Sequence, residues 1–123
     1  NRDMLSSLEI FPTILGAAGA PAPDSIHLDG FNMLPLLQSN GRRGDHRNEM
    51  FWEFRGDYAA RVGKWKWISS KRGNGLFDLE TDVGEQHDLS EAKPEILQMV
   101  RQKFEGWQTE MENAPPRGPF RDF

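Results

Sequence analysis

The stretch MFWEFRGDYAARVGKWKWISSKRGNGLFDL, residues 50–79, decides the fold of this chain. Runs rich in aromatic and β-branched residues alternate with glycine-containing pairs, a pattern typical of short strands joined by tight turns. The pattern predicts strands over 50–55, 58–62, 65–70 and 76–79, with turns at Gly56-Asp57 and Gly63-Lys64 and a loop over 71–75. Because the connections are short, consecutive strands should pair antiparallel, giving a small sheet of about four strands over 50–80.

Three of the four tryptophans lie in this stretch, at positions 52, 65 and 67. The alternation of a strand places Trp65 and Trp67 on one face and Lys66 and Ile68 on the other. A helix covering the first face would bury the tryptophans in a core. The alternative is an exposed row of Trp52, Trp65 and Trp67, on which sugar rings could stack.

A long helix is predicted over 94–113 by apolar residues that recur with helical spacing. They form one continuous stripe: Ile96, Val100, Phe104, Trp107 and Met111. Pro94 suits the first turn of this helix, and the prolines that follow it end the helix. We expect the stripe to cover the sheet and residues 114–123 to form an extended tail.

A helical segment is also predicted over residues 1–20. Asp3 or Ser6 could cap it, and Pro12 should separate a first helix, ending at Phe11, from a second that runs to about Ala18. A further short helix should extend from residue 33 to residue 37, capped by Asn32. The expected whole is a single α+β domain over 1–123, in which the helical segment precedes the sheet and the long C-terminal helix.

Composition limits the possible functions of the 123 residues. The chain contains no cysteine, which excludes disulfides, thiol catalysis and thiolate metal sites. The net charge of −4 argues against a nucleic-acid or anionic-membrane partner, and no apolar run approaches the roughly 20 residues of a membrane span. Four basic residues cluster locally and are interpreted as a solvated strand face: Lys64, Lys66, Lys71 and Arg72.

No complete catalytic or metal-binding constellation is visible. His27, His46 and His87 lie in three separate loops, without the spacing of metal ligands, and are expected to be exposed. The acidic residues after the sheet do not fit a helix–loop–helix calcium loop and are better explained by turn formation and capping: Asp78, Glu80, Asp82, Glu85 and Asp88. We therefore assign no catalytic residue and no metal ligand to this chain.

An ordered set of motifs nevertheless resembles the sulfatases. EIFPTILGAAG (9–19) resembles their D-hydrophobic-x-P-T segment ending in glycine, and DGFNMLPLL (29–37) is similar to D-G-x-S-L-x-P-L-L. AARVGKWK (59–66) resembles A-V-R-x-G-x-W-K, and LFDLETDVGE (76–85) resembles L-Y-D-L-x-x-D-P-x-E, with HDL (87–89) where x-N-L is usual. The departures are conservative and affect turns, caps or packing.

The resemblance implies the C-terminal part of an arylsulfatase-type enzyme of the alkaline phosphatase superfamily. Such enzymes hydrolyse sulfate esters with a formylglycine made from a C/S-x-P-x-R motif beside a calcium ion. Neither that motif nor the family's metal ligands occur here, so both cofactors are expected in the parent protein and none in this fragment, which should be inactive by itself. The expected partners are the upstream catalytic domain and a sulfated small molecule or glycan.

The resemblance also implies that this subdomain supports the catalytic domain and walls the substrate cleft. Residues 51–58 and 42–47 are the candidates for that wall. Arg55 and Arg61 are the candidate substrate-binding residues, because the planar guanidinium matches a sulfate or a carboxylate. For Arg61 a structural ion pair is the alternative.

Two other functions stay open at this point. One is a related hydrolase of phosphate or phosphonate esters, and the other is a stand-alone carbohydrate-binding module that uses the tryptophan face. If the chain is a fragment, the apolar face of its first helix should be exposed and promote self-association. Resemblance to bacterial sulfatases favours a periplasmic or secreted parent.

Overall fold

The computed structural model describes residues 3–22, 25 and 27–115. A single 3-10 turn, Ser7–Glu9, precedes helix α1 (Ile10–Ala18), and a short helix α2 spans Leu34–Gln38. Four strands follow, β1 (Glu49–Phe54), β2 (Asp57–Val62), β3 (Trp65–Ser70) and β4 (Gly73–Asp78), and then helix α3 (Pro94–Asn113). The predicted α+β class is confirmed. The chain forms two compact units, within 1–48 and 49–123.

The second unit contains one antiparallel sheet in the order β1-β2-β3-β4, as the short connections predict. Its first turn is Arg55-Gly56, with φ of 53° and 83°, one residue earlier than predicted. Strand β4 begins at Gly73, so the loop predicted over 71–75 was wrong. Gly73 and Gly75 belong to the strand. Residue 75 has no room for a side chain, because a Cβ there would lie 2.6 Å from the Phe77 ring.

Helix α3 packs on one face of the sheet. The buried core consists of residues from both elements: Ala60, Leu76, Val100 and Phe104. The Phe104 ring lies 5.3 Å from the Trp67 ring and 5.4 Å from the Tyr58 ring, in edge-to-face geometry. Aromatic pairs at such distances add stability beyond the apolar area that they bury.

Two predictions about this core were only partly right. Trp65 and Trp67 pack against it, but Trp52 lies on the opposite, helix-free face and is 43% exposed. The apolar stripe of α3 makes core contacts as far as Trp107, whereas Met111 is 47% exposed. The helix is longer than the patch of core that it covers.

In the first unit, the break in the N-terminal helical segment lies before Ile10, and the bend predicted at Pro12 was wrong. Ser6 caps the 3-10 turn in a capping box with Glu9. Pro12 is then the third residue of α1, where its missing N–H removes no helical hydrogen bond. Gly19 ends the helix with a left-handed φ of 65°.

The short helix α2 begins one residue later than predicted, and Asn32 Oδ1 accepts a hydrogen bond from the Leu34 amide at 3.0 Å, as a cap would. Residues 116–123 of the predicted tail lie outside the described residues. Within the described part of the chain, no helix is long and apolar enough to cross a membrane.

Candidate functional site

The two N-terminal motifs are held together by a buried carboxylate. Glu9 is fully buried and receives hydrogen bonds from Arg47 through Nε, at 2.9 Å, and through Nη2. Arg47 Nη2 also donates to the Asp29 carbonyl oxygen at 2.9 Å. Since an unpaired buried charge is strongly unfavourable, this ion pair fixes residue 47 and residue 29 to the start of α1.

Two glycines allow the same motifs to approach closely. A Cβ at Gly30 would meet the Leu8 carbonyl oxygen at 1.9 Å, and one at Gly16 would meet Asn32 Nδ2 at 2.1 Å. Thr13 Oγ1 donates to the Glu9 carbonyl and accepts from the Met33 amide at 3.0 Å. The motif residues of this unit therefore have structural roles, and none of them presents a reactive group.

A groove lies beside α2 in the first unit, next to one of the candidate segments. Its volume is about 440 Å³, and it is lined by Pro35, Gln38, Ser39, Arg42 and Arg43. Ser39 Oγ accepts hydrogen bonds from the backbone amides of Arg42, at 3.2 Å, and Arg43, at 2.8 Å. These bonds order the loop that carries both guanidinium groups. Among the described residues, no carboxylate forms an ion pair with either arginine.

The acidic segment after β4 is a set of caps and turns, as predicted. Asp82 accepts hydrogen bonds from the amides of Gln86 and His87, and these bonds lower the pKa of its carboxyl group. The side chain of Ser90 and the Leu76 amide lower the pKa of Asp88 in the same way. Carboxylates with these partners are already engaged with the backbone.

The third such carboxyl group, Asp78, is paired with Lys64 at 2.7 Å. This bond lowers the pKa of Asp78 and raises the pKa of Lys64. In the part of the chain that the structure describes, no three His, Cys, Asp or Glu side chains cluster as a metal site. The residues present thus do not fit the calcium of a sulfatase.

Each histidine lies beside an aspartate. His46 Nδ1 is 2.8 Å from Asp3 Oδ1, while His27 and His87, both about 80% exposed, are 3.6 Å and 3.5 Å from their carboxylates. The predicted exposure of the loop histidines is confirmed. The structure brings no two of them together.

Arg61 is the penultimate residue of β2 and lies on the helix-free face of the sheet. Its neighbours across the ladder are Met50 on β1 and Lys66 on β3. Its Nε donates to the Gly63 carbonyl at 3.1 Å, and among the described residues no carboxylate forms the ion pair considered as an alternative. Lys66, the cation opposite Arg61, forms an ion pair with Glu85, so the positive charge of Arg61 is the one that remains uncompensated among these described residues.

Arg55 lies in the β1–β2 turn, exposed, with its guanidinium 5.1 Å from the centre of the Phe54 ring. Four residues of β2 separate the turn from Arg61, which corresponds to about 13 Å along a strand. The structure therefore does not bring the two arginines together around one anion.

Sequence reasoning missed Lys71 and Arg72 as candidates, because it grouped them with Lys64 and Lys66 on one solvated strand face. The structure separates the four residues. Lys64 and Lys66 are paired with acidic side chains, whereas the other two form the β3–β4 turn, at the same end of the sheet as Arg55. The predicted meander contained the necessary information, because the first and third turns of a meander lie at the same end of the sheet.

No family model matches the chain. It is 32% identical to arylsulfatase A of Homo sapiens over 81% of the chain, and 33% identical to arylsulfatase K of Rattus norvegicus over 82%. The chain spans only 26% and 20% of the lengths of these relatives.

A solved structure, that of Ps i-CgsB in complex with k-i-k-neocarrahexaose, shares the fold. The TM-score is 0.68 at 30% identity, over 85% of this chain and 24% of that one. The sequence relatives and this structure each match more than four fifths of the chain. This chain belongs to the arylsulfatase-type sulfatases, and it corresponds to the C-terminal part of such an enzyme.

Proposed function

We propose that this chain is the C-terminal subdomain of a sulfuric ester hydrolase, in which it supports the catalytic domain and walls the substrate cleft. The formylglycine and the calcium ion would belong to the remaining part of the parent enzyme. This division agrees with the chemistry of the acidic segment after β4, whose carboxylates are engaged in caps, turns and ion pairs. The parent is expected to be periplasmic or secreted.

The observation that carries this proposal is the uncompensated arginine on the helix-free face. Arg61 and Lys66 lie directly opposite each other, and like charges in that position destabilise a sheet. Within the part of the chain that the structure describes, only Lys66 of these two has a carboxylate partner. The Arg61 guanidinium lies beside another cation and uses its Nε–H in the bond to Gly63. Its terminal N–H groups are suited to a bidentate anion such as a sulfate or a sugar carboxylate.

Arg55 and the loop 42–47 are each proposed as a further contact with the substrate. Arg55 is exposed, and the loop presents Arg42 and Arg43 to a groove large enough for part of a sugar. The structural relative Ps i-CgsB is in complex with a neocarrahexaose. By analogy, we propose a sulfated glycan or a smaller sulfated molecule as the substrate.

The relatives compared above give no support to the alternatives of a phosphate or phosphonate ester hydrolase and of a stand-alone carbohydrate-binding module. The arylsulfatases match the chain over four fifths of its length.

The proposal is tested in the polypeptide that contains this chain together with its catalytic domain. Arg61→Gln should raise KM for a sulfated oligosaccharide about tenfold, the effect of one lost charged contact, and leave kcat nearly unchanged. Lys103→Gln removes a cation on α3 and serves as the matched control. An unchanged KM, or a loss of activity that only follows a lower melting temperature, would show that Arg61 is structural.

A further inference from the structure

The antiparallel meander brings two of its three turns to one end of the sheet. Phe54 lies opposite Asp57 across the first turn, and Ser70 lies opposite Gly73 across the third. The two turns are linked, since the Lys71 amide donates to Asp57 Oδ1 at 3.3 Å. Side chains carried by residues 55, 71 and 72 therefore share one end of the molecule's sheet.

This end carries a concentration of free positive charge. Arg55, Lys71 and Arg72 are exposed, and among the described residues none of them forms an ion pair with a carboxylate. Asp57 of β2 accepts a hydrogen bond from the Lys71 amide, and Glu53, one residue before Phe54, accepts one from Gln108 Nε2 at 3.1 Å. At the opposite end, by contrast, Lys64 lies 2.7 Å from Asp78 and 3.4 Å from Glu80.

Two uncovered aromatic rings border the same end. Trp52 and Phe54 occupy alternate positions of the edge strand β1, on the helix-free face, and are 43% and 68% exposed. The residues across the ladder from them, Ala59 and Asp57, have small side chains, and the Arg55 guanidinium lies 5.1 Å from the centre of the Phe54 ring. A flat apolar face next to cationic donors suits a sugar ring that carries anionic groups.

The backbone of the first turn supports a role for the Arg55 side chain. Its φ of 53° is left-handed, in a two-residue hairpin turn where Asn or Gly is preferred. An arginine at such a position weakens the turn, and local strain of this kind is concentrated at functional sites.

We infer that Trp52, Phe54, Arg55, Lys71 and Arg72, here called the basic sheet end, bind a sulfated segment of an extended glycan. The segment is distinct from the ester that is hydrolysed. This inference rests on the proposed function and specifies its substrate class as a glycan with several sulfate groups. A nucleic acid could use the same cations and rings, but the similarity to arylsulfatases and the neocarrahexaose in the complex of the structural relative favour a sulfated glycan.

The test is binding of dextran sulfate oligosaccharides to the 123-residue chain, measured by titration calorimetry in about 0.05 M salt, where exposed charges are weakly screened. Uncharged dextran, a single-stranded oligonucleotide and vesicles containing phosphatidylserine are compared at the same salt concentration. Dextran sulfate should bind most tightly and should change the tryptophan fluorescence, and Trp52→Ala should abolish that change. Tighter binding of the oligonucleotide or the vesicles would overturn the inference.

Variants locate the binding surface. Lys71→Gln/Arg72→Gln should weaken binding at least about fivefold, as expected for the loss of two charged contacts. The matched variant Lys64→Gln/Lys103→Gln removes the same charge from cations that are already paired and should bind within about twofold of the wild type. Equal weakening by both variants would show a non-specific charge effect and overturn the inference.

The two proposals fail separately. The binding test involves no turnover and does not include Arg61, so a negative result leaves the KM test of the cleft wall valid. An unchanged KM in Arg61→Gln would refute that wall contact without altering the affinity of the basic sheet end for dextran sulfate.

Discussion

At the scale of single residues, Arg55 combines an unfavourable backbone conformation with an exposed charged side chain. A left-handed conformation costs most residues about 1–2 kcal/mol, whereas Asn and Gly adopt it readily. Its neighbour Gly56, also at positive φ, adopts this conformation without that cost, because glycine has no Cβ. Stability and ligand binding therefore make opposite demands on position 55.

Arg55→Asn should raise the free energy of unfolding by about 1 kcal/mol, because Asn followed by Gly is a preferred pair for such a turn. The same change should weaken dextran sulfate binding. Urea denaturation measures the first effect and calorimetry the second. Arg72→Asn is the control, since residue 72 is not among those with positive φ and should give no gain in stability. A loss of stability in Arg55→Asn would contradict the strain argument.

At the scale of the elements, the second unit depends on one aromatic contact network and one capped acidic segment. Phe104 of α3 contacts the rings of Phe51, Tyr58, Trp67 and Trp107, and so joins three strands to the helix. The segment after β4 turns the chain back toward α3 through the carboxylates of Asp82 and Asp88. These two features hold the sheet and the helix in place.

Phe104→Ala should destabilise the chain by about 3–5 kcal/mol, the range for truncating a fully packed phenylalanine. Met111→Ala, on the same stripe but 47% exposed, should cost less than about 1 kcal/mol. Chemical denaturation followed by tryptophan fluorescence measures both. Similar losses for the two variants would mean that the helix is not anchored through Phe104.

The caps also predict the acid sensitivity of this unit. Hydrogen bonds from Gln86 and His87 lower the pKa of Asp82 below its ordinary value of 3.8, so its contribution to stability is present above about pH 3.8. That contribution is lost as the pH falls through the lower pKa of the folded state. Asp82→Asn should therefore be less stable than the wild type at pH 6, and the difference should shrink toward pH 2. A difference independent of pH would contradict the assigned cause.

At the scale of the whole molecule, the first unit leaves a large part of its apolar surface uncovered. The exposed residues lie on α1 and just before it, and are 37–58% exposed: Leu5, Leu8, Ile10, Phe11 and Ile14. In a sulfatase, we propose, the catalytic domain covers this face. In the isolated chain, contiguous apolar surface of this kind favours association with a second copy.

Sedimentation velocity should accordingly show concentration-dependent dimerisation of the isolated chain. Phe11→Lys/Ile14→Lys should shift the chain to monomer, because it places two charges in the proposed contact. Arg42→Gln/Arg43→Gln, in an exposed loop of the same unit, should leave the dimerisation unchanged. A wild-type chain that stays monomeric at high concentration would contradict the prediction.

Features of the fold that depend on neighbouring residues could be predicted from the sequence, whereas those that depend on residues far apart in the sequence could not. Strand β3 and helix α3 were predicted to the residue, because alternation and helical spacing are local signals. The Glu9–Arg47 pair could not be predicted, since 38 residues separate its members. Trp52 was misplaced because its exposure depends on the face that α3 covers. The anion-binding role of Arg55 and Arg61 stays a prediction, and the distance between them required the register of β1 and β2.

The central claim, that this chain is the non-catalytic C-terminal part of a sulfatase, is tested most directly by sequencing the coding region upstream of Asn1. We predict an open reading frame that continues upstream and encodes a C/S-x-P-x-R motif preceded by an Asp-Asp pair. A start codon directly upstream of Asn1, or an unrelated domain in place of that motif, would contradict the claim.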